Sequence, residues 1–217
     1  MAKTIAPLLS FGAGGQIART AVYGTWKGIP YVRRYVIPAN PRTTRQQVTR
    51  LMFKNLQYMW LIAPPGLKAP FEANAAGRPY TGNNKFTSLN VKGVDTETPP
   101  TDWSAFQGSP GAKGGLPPTS LIVTPAATTL TAAIGSPQIP DGWSIVEAEG
   151  VCFLDGDPQS PFVGNIQYQF DGTSTYSLVF TGLVTATDYI VSAWLKWLRP
   201  DGTFAYSTSL TDAITTS

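Results

Sequence analysis

Hydrophobic and polar positions alternate with a period of two across residues 15–38, GQIARTAVYGTWKGIPYVRRYVIP, on both sides of a Trp26-Lys27-Gly28 turn. Alternation of this kind in β-branched and aromatic residues predicts a β-hairpin. Ile17, Arg19, Ala21 and Tyr23 are expected on one face of the first arm, with Ala18, Thr20 and Val22 on the other. In the second arm Tyr31, Arg33 and Tyr35 alternate with Val32, Arg34 and Val36, which gives one aromatic and basic face. Pro38 and Pro41 then break the strand, and the period changes to that of a helix. Thr43 followed three residues later by Gln46 has the form of a capping box. The helix should run to about residue 62, where Pro64-Pro65 stops it, with Val48, Leu51, Met52, Leu56, Met59 and Trp60 as its apolar surface. Arg50, Lys54 and Gln57 form its polar strip. Phe53, Tyr58, Leu61 and Ile62 make the last turns apolar nearly all round, so the helix is either fully buried or meets another chain with part of its surface. A second short helix is expected over residues 83–91, with Phe86 and Leu89 facing inward.

Residues 96–118 are rich in Pro, Gly, Ser and Thr without periodicity and read as an extended linker, one that lies along a surface because Trp103 and Phe106 would not stand free in water. Seven short β-rich runs follow, at 120–124, 128–134, 143–154, 163–170, 175–181, 188–198 and 203–209, separated by turn signals. Seven strands in about 100 residues are the expectation for an immunoglobulin-like or fibronectin type III-like sandwich. The stretch TGLVTATDYIVSAWLKW resembles the G-L-x-x-x-T-x-Y element of the latter, which makes Tyr189 the candidate tyrosine corner and Leu183 the plug beneath it. The last strand of that stretch is apolar on both faces, so one face is a candidate interface. The fold class is therefore mainly β with a small α+β N-terminal part: a basic hairpin-helix domain at 1–95, a linker at 96–118 and an acidic β-sandwich at 119–217.

Charge sharpens that division. Residues 1–95 hold 13 Lys or Arg against Glu72 and Asp95, a balance of +11, whereas residues 96–217 hold three against 11, a balance of −8. A segment so basic should seek an acidic partner, protein or nucleic acid, unless the two halves neutralise one another within or between subunits. Histidine is absent and Cys152 is the one cysteine. Ser-His-Asp triads, Cys-His pairs, HExxH zinc sites and intrachain disulfides are thereby excluded. Asp155-Gly156-Asp157 lacks the remaining ligands of a calcium loop and reads as turn material, the Gly-rich run at 11–16 has no Walker lysine, and Glu147 and Glu149 read as a solvated strand face. The expectation is no enzyme, no cofactor and no metal. No apolar stretch approaches the ~18 residues of a membrane span, and the first residues show no signal-peptide h-region, which points to a soluble product made in the cytoplasm.

The run GQIARTAVYGTWKGIPYVRRYVIPANPRTTRQQVTRLMF resembles a pattern in small virion proteins of tailed bacteriophages and prophages. It comprises a WKG-type turn at Trp26-Lys27-Gly28, an N-P-[RK]-T step at Asn40-Pro41-Arg42-Thr43, Gln46 with Arg50 and Phe53, and an Asn-x-Phe-x-x-x-Asn helix at Asn84, Phe86 and Asn90. The resemblance covers about the first 95 residues and implies a component of a phage particle: a capsid decoration or cement protein, or else a neck, tail or host-adhesion component. A nucleic-acid-binding module is the further alternative, because interleaved Arg and Tyr stack on bases and contact phosphates. The expected partners are the major capsid protein or other virion proteins, together with further copies of the chain, and no membrane. Arg19, Lys27, Arg33, Arg34, Arg42, Arg45, Arg50 and Lys54 are the expected contacts to an acidic surface. Tyr31, Tyr35, Phe53, Met59 and Trp60 are the expected apolar interface, and Trp26, Gly28, Pro41, Thr43, Leu183 and Tyr189 the structural positions. Trp143 and Trp194 are candidates to touch host surfaces or glycans from an outward-facing sandwich.

Overall fold

In the computed structural model, which describes residues 2–3, 14–37, 39–40, 42–91, 103–157, 162, 169–170 and 175–217, the chain divides into two units, Met1–Arg42 and Thr43–Ser217. Pro41 lies outside the described residues.

The alternating segment of the first unit forms an antiparallel sheet of four strands, β1 (Ala2–Lys3), β2 (Gly15–Ile17), β3 (Ala21–Trp26) and β4 (Ile29–Arg34), in the order β1-β4-β3-β2. Trp26 pairs with Ile29 across a two-residue turn in which Lys27 (φ 50°) and Gly28 (φ 79°) are both left-handed. That geometry matches strand twist, and it is the reason for a glycine at 28. The first arm expected from the alternation is two strands. Ala18 (φ 44°) and Arg19 (φ 56°) make a second tight turn, closed by the Thr20 N–H donating to the Ile17 carbonyl at 2.8 Å. The turn carries no Gly, Asn or Pro, so nothing in its composition announced it.

The second unit begins with three helices, α1 (Thr44–Ile62), α2 (Pro65–Ala75) and α3 (Gly82–Asn90). Thr43 caps α1 by accepting from the Gln46 N–H, and Thr81 caps α3 by accepting from the Asn84 N–H. Val48, Met52, Leu56 and Met59 recur at helical spacing along α1 and turn inward. α2 was not expected. Pro65 ends one helix by opening the next, because at a first helical position its missing N–H would have had no partner. A β-sandwich follows. One sheet orders β6 (Ser120–Pro125), β7 (Thr129–Gly135), β10 (Thr175–Thr181) and β9 (Gln169–Phe170). The other is built on β11 (Asp188–Leu198), with β8 (Ser144–Leu154) along one edge. Along its other edge β12 (Phe204–Thr208) and β13 (Leu210–Thr215) follow each other, and β5 (Pro110–Ala112) extends the sheet beyond β12.

Period-two alternation on β11 fills two cores at once. Tyr189, Val191, Ala193, Leu195 and Trp197 point into the sandwich with Leu130, Ile134, Leu178 and Phe180. Ile190 and Trp194 point the other way, with Val151 and Phe153 of β8, into a core shared with Leu56, Met59, Leu67, Phe71 and Phe86 of the helices. The unit is thus three layers, sheet on sheet on helices. Both faces of β11 are covered within the chain, so the interface expected on one of them is an internal contact with the helices.

This arrangement moves the domain boundary. A break after residue 95 was expected from composition, yet the helices share one core with the sandwich and the break falls after Arg42. Trp103 and Phe106 of the expected linker are fully buried in that shared core, and Pro110–Ala112 is an edge strand. The segment is held by side chains rather than by regular pairing. Gly108 N–H donates to Ser192 Oγ at 3.1 Å and Ser209 Oγ at 3.0 Å, Ser109 Oγ to the Ser207 carbonyl, and Asn74 Nδ2 to the Gly111 carbonyl at 2.7 Å. A Cβ at position 108 would stand 2.5 Å from the Trp194 ring, so the approach requires glycine.

Candidate assembly surface

Three-stranded meanders survive in water when one face packs on something. Among residues 14–37, 39–40 and 42 of the first unit none is buried within a single chain, and Trp26, Val36 and Ile37 are 64%, 65% and 72% exposed. Register decides what its faces present. Ala21, Tyr23, Thr25, Pro30, Val32 and Arg34 lie on one face, and Val22, Trp26, Ile29, Tyr31 and Arg33 on the other. The second arm keeps its expected alternation, Tyr31 and Arg33 against Val32 and Arg34, and because the Lys27-Gly28 turn sets Arg33 opposite Val22 and Arg34 opposite Ala21, Tyr23 joins the Arg34 face and each face carries an arginine and a tyrosine. Arg19 and Lys27 stand at the two turns, Lys27 over the Trp26 ring at 5.0 Å. Tyr31 and Tyr35 are half-buried in the sheet and Arg42 is exposed at the end of the unit.

In the second unit Arg45, Arg50 and Lys54 are exposed along α1. The first turn of that helix has no acidic residue, so Arg45 there runs against the helix dipole at a cost of a few tenths of a kcal/mol, and its last turn carries no basic residue. Phe53, Tyr58 and Leu61 are exposed on the outer side of the helix, Leu61 at 74%. Met59 and Trp60 were expected among them and are not: Met59 is fully buried, and Trp60 packs against Phe71 and Phe86, at ring separations of 6.0 and 5.4 Å. The stripe 52, 56, 59, 63 faces the core, which leaves 53, 58 and 61 outside.

Two residues of the Asn-x-Phe-x-x-x-Asn helix fasten the fold, Phe86 facing inward as expected. Phe86 is fully buried between Phe71 and Phe106. Asn90 donates through Nδ2 to the Phe86 and Gln107 carbonyls and accepts from the Gln107 N–H at 2.8 Å, so its amide holds α3 to the segment that crosses the core.

Elsewhere the polar chemistry is internal. Glu149, expected on a solvated face with Glu147, is 3% exposed, because the helices cover that side of β8. It accepts from Trp194 Nε1 at 2.8 Å, and Lys196 Nζ lies 2.8 Å from Glu147 and 3.9 Å from Glu149. Burial raises the Glu149 pKa to about 7 against the pull of Trp194 and Lys196. Burial likewise pushes the Cys152 thiol up to about 12, which makes it inert. Trp194 is fully buried and out of reach of any host surface, and Trp143 is half-buried against Trp197 with Arg199 over its ring. Among the described residues no three His, Cys, Asp or Glu side chains gather as metal ligands, and no helix is long and apolar enough to cross a membrane.

Leu183 is buried, and Tyr189 Oη accepts from the Val184 N–H at 3.1 Å, five residues upstream, which is the geometry of a tyrosine corner. Tyr189→Phe is expected to cost about 1 kcal/mol in urea unfolding without changing the fold. No protein-family profile and no curated protein matches the chain. Among solved structures it is similar to a computationally redesigned β-sandwich protein, 23% identical with a TM-score of 0.34, over 48% of this chain and 92% of that one.

Proposed function

We propose that the chain is a non-enzymatic structural component of a bacteriophage particle, a capsid decoration or cement protein that docks on the shell through its basic N-terminal part and displays the β-sandwich outward. One observation carries the reading: a sheet with six basic and no acidic residues in its unit, and none of the described residues from 14 to 42 buried in a single chain. A sheet so built is completed by a partner, and its charge selects an acidic one. The outer side of α1 adds Arg50 and Lys54 beside Phe53, Tyr58 and Leu61, the mixture of anchors and charges that protein interfaces favour. The resemblance of the first 95 residues to small phage virion proteins supplies the kind of particle.

Co-sedimentation with tail-less capsids of the source phage tests this. The wild-type chain is expected to pellet with capsids, and a variant with alanine at Arg33, Arg34, Arg50 and Lys54 to lose most of that binding. Pelleting with tails alone would move the protein to the neck or tail. Trp26, Tyr31 and Arg33 on one face favour the nucleic-acid reading next, and binding to naked DNA with a steep salt dependence would establish it instead.

A further inference from the structure

The sandwich has two outer faces, and the helices cover one of them. We infer that the other, the outside of the sheet formed by β6, β7 and β10, is a self-association surface that packs against the same face of a second copy of this chain. Register lays out what that face presents. Val123, Leu130, Ile134, Leu178 and Phe180 turn into the sandwich core, so the residues that alternate with them point out. Across the three strands these stand in rows, Ile122-Ala133-Ser177 beside Thr124-Thr131-Val179. Ile122 and Val179 are 62% and 41% exposed. No residue of the three strands is charged.

A sheet face open to water ordinarily carries lysines, glutamates and arginines, whose length and charge keep other sheets away. In this sandwich the charged strand residues belong to the other sheet: Glu147 and Glu149 of β8, Asp188 and Lys196 of β11, and Asp212 of β13. The face of β6, β7 and β10 is built instead of short hydroxyl and methyl side chains, which let a second sheet approach to the usual ~10 Å. Neutrality selects the occupant. A charged surface laid on this face would lose its water and gain no counter-charge. The N-terminal sheet belongs to a unit with six basic residues, and the outer side of α1 carries Arg45, Arg50 and Lys54, so neither surface of a second copy fits. The same face does, because methyls and hydroxyls meet their like and no charge is buried. The contact is therefore isologous and closes at two copies. Three strands of six or seven residues span about 14 Å by about 24 Å, so two such faces bury less than the ~1,200 Å² of a stable complex, and the dimer is weak in free solution. The basic sheet and the outer side of α1 stay open to an acidic partner.

Sedimentation velocity of the full-length chain tests the inference. Wild type should dimerise as its concentration rises toward about 1 mM, and no less at high salt, because no charge takes part. Ile122→Lys with Val179→Lys, and separately Ile122→Glu with Val179→Glu, put charges at exposed positions that the core does not use, and each pair should weaken association by about tenfold or more. Mixed in equal amounts, the two variants should associate again, because in an isologous contact the lysines of one copy then face the glutamates of the other. Recovery on mixing also excludes misfolding as the cause of the loss. A monomeric wild type, association that high salt dissolves, unaltered association in either variant, or no recovery on mixing overturns the inference. Capsid co-sedimentation is scored separately: dimers without capsid binding remove the decoration reading and leave the sheet contact, whereas a monomeric wild type whose capsid binding both variants lose would give this face to the shell instead.

Discussion

Phe106→Ala is expected to cost about 3–5 kcal/mol, a large share of the ~5–15 kcal/mol that holds a domain together. Phe106 lies in a segment whose composition reads as a connector, yet its ring is 1% exposed and packs 6.0 Å from Phe86 of α3 and 4.9 Å from Phe153 of β8. It is where the helix layer and the sandwich become one body. Truncation leaves a cavity that neither a helix nor a strand can close without breaking the Asn90 clamp on one side or the serine bonds on the other. Far-UV circular dichroism and tryptophan fluorescence should therefore report the same urea midpoint for helices and sandwich, shifted down together in the variant. Two separate midpoints in wild type would restore the division near residue 95 and sink the shared core.

The elements that local pattern controls were legible. α1 starts at its Thr43 cap and ends before Pro64, and β6, β7, β8, β10, β11 and β12 lie within two residues of the runs read from alternation and turn signals. What sequence left hidden was settled by distant partners. Alternation put Glu147 and Glu149 on one strand face correctly, but only the helices, distant in the chain, make that face an inside. The same absence of a local signal explains α2, whose Pro64-Pro65 start reads equally well as a stop, and β13, whose polar sequence LTDAIT is a strand because β11 pairs with it. For the candidate surface, residue type was legible and exposure was not. Arginines and lysines on the N-terminal half were bound to be outside, whereas the choice between Met59 and Tyr58 as the exposed member of α1 depended on where the sheet lay.

Glu149 is expected to make stability fall as pH rises between about 4.5 and about 7. Its folded pKa is raised from the ordinary 4.5 to about 7, first by burial and then, in part, by the neighbouring Glu147, against the Trp194 hydrogen bond and the Lys196 charge. Below that window the carboxyl is protonated in both states and the group costs nothing. Within it the unfolded chain has released the proton and the folded chain still holds it, so each step up in pH favours unfolding. Above about 7 the folded chain carries a buried carboxylate, and the accumulated penalty is about 3 kcal/mol. Lys196 and Asp201 do not blur the window. The Lys196 pKa is lowered by burial but raised on balance by its Glu147 bond and the charges of Glu149 and Glu147, so its contribution is lost only in alkali; that of Asp201, lowered first by its Thr203 hydrogen bonds, is lost only in acid. Glu149→Gln keeps an acceptor for Trp194 Nε1 and removes the titration. Urea unfolding at about pH 5 and about pH 8 should give a wild-type chain less stable at the higher pH and a variant nearly indifferent to it, with the variant the more stable of the two at pH 8. Equal pH dependence in both would mean that the helices do not exclude water from this face of β8, and the three-layer packing would then be wrong where Glu149 lies.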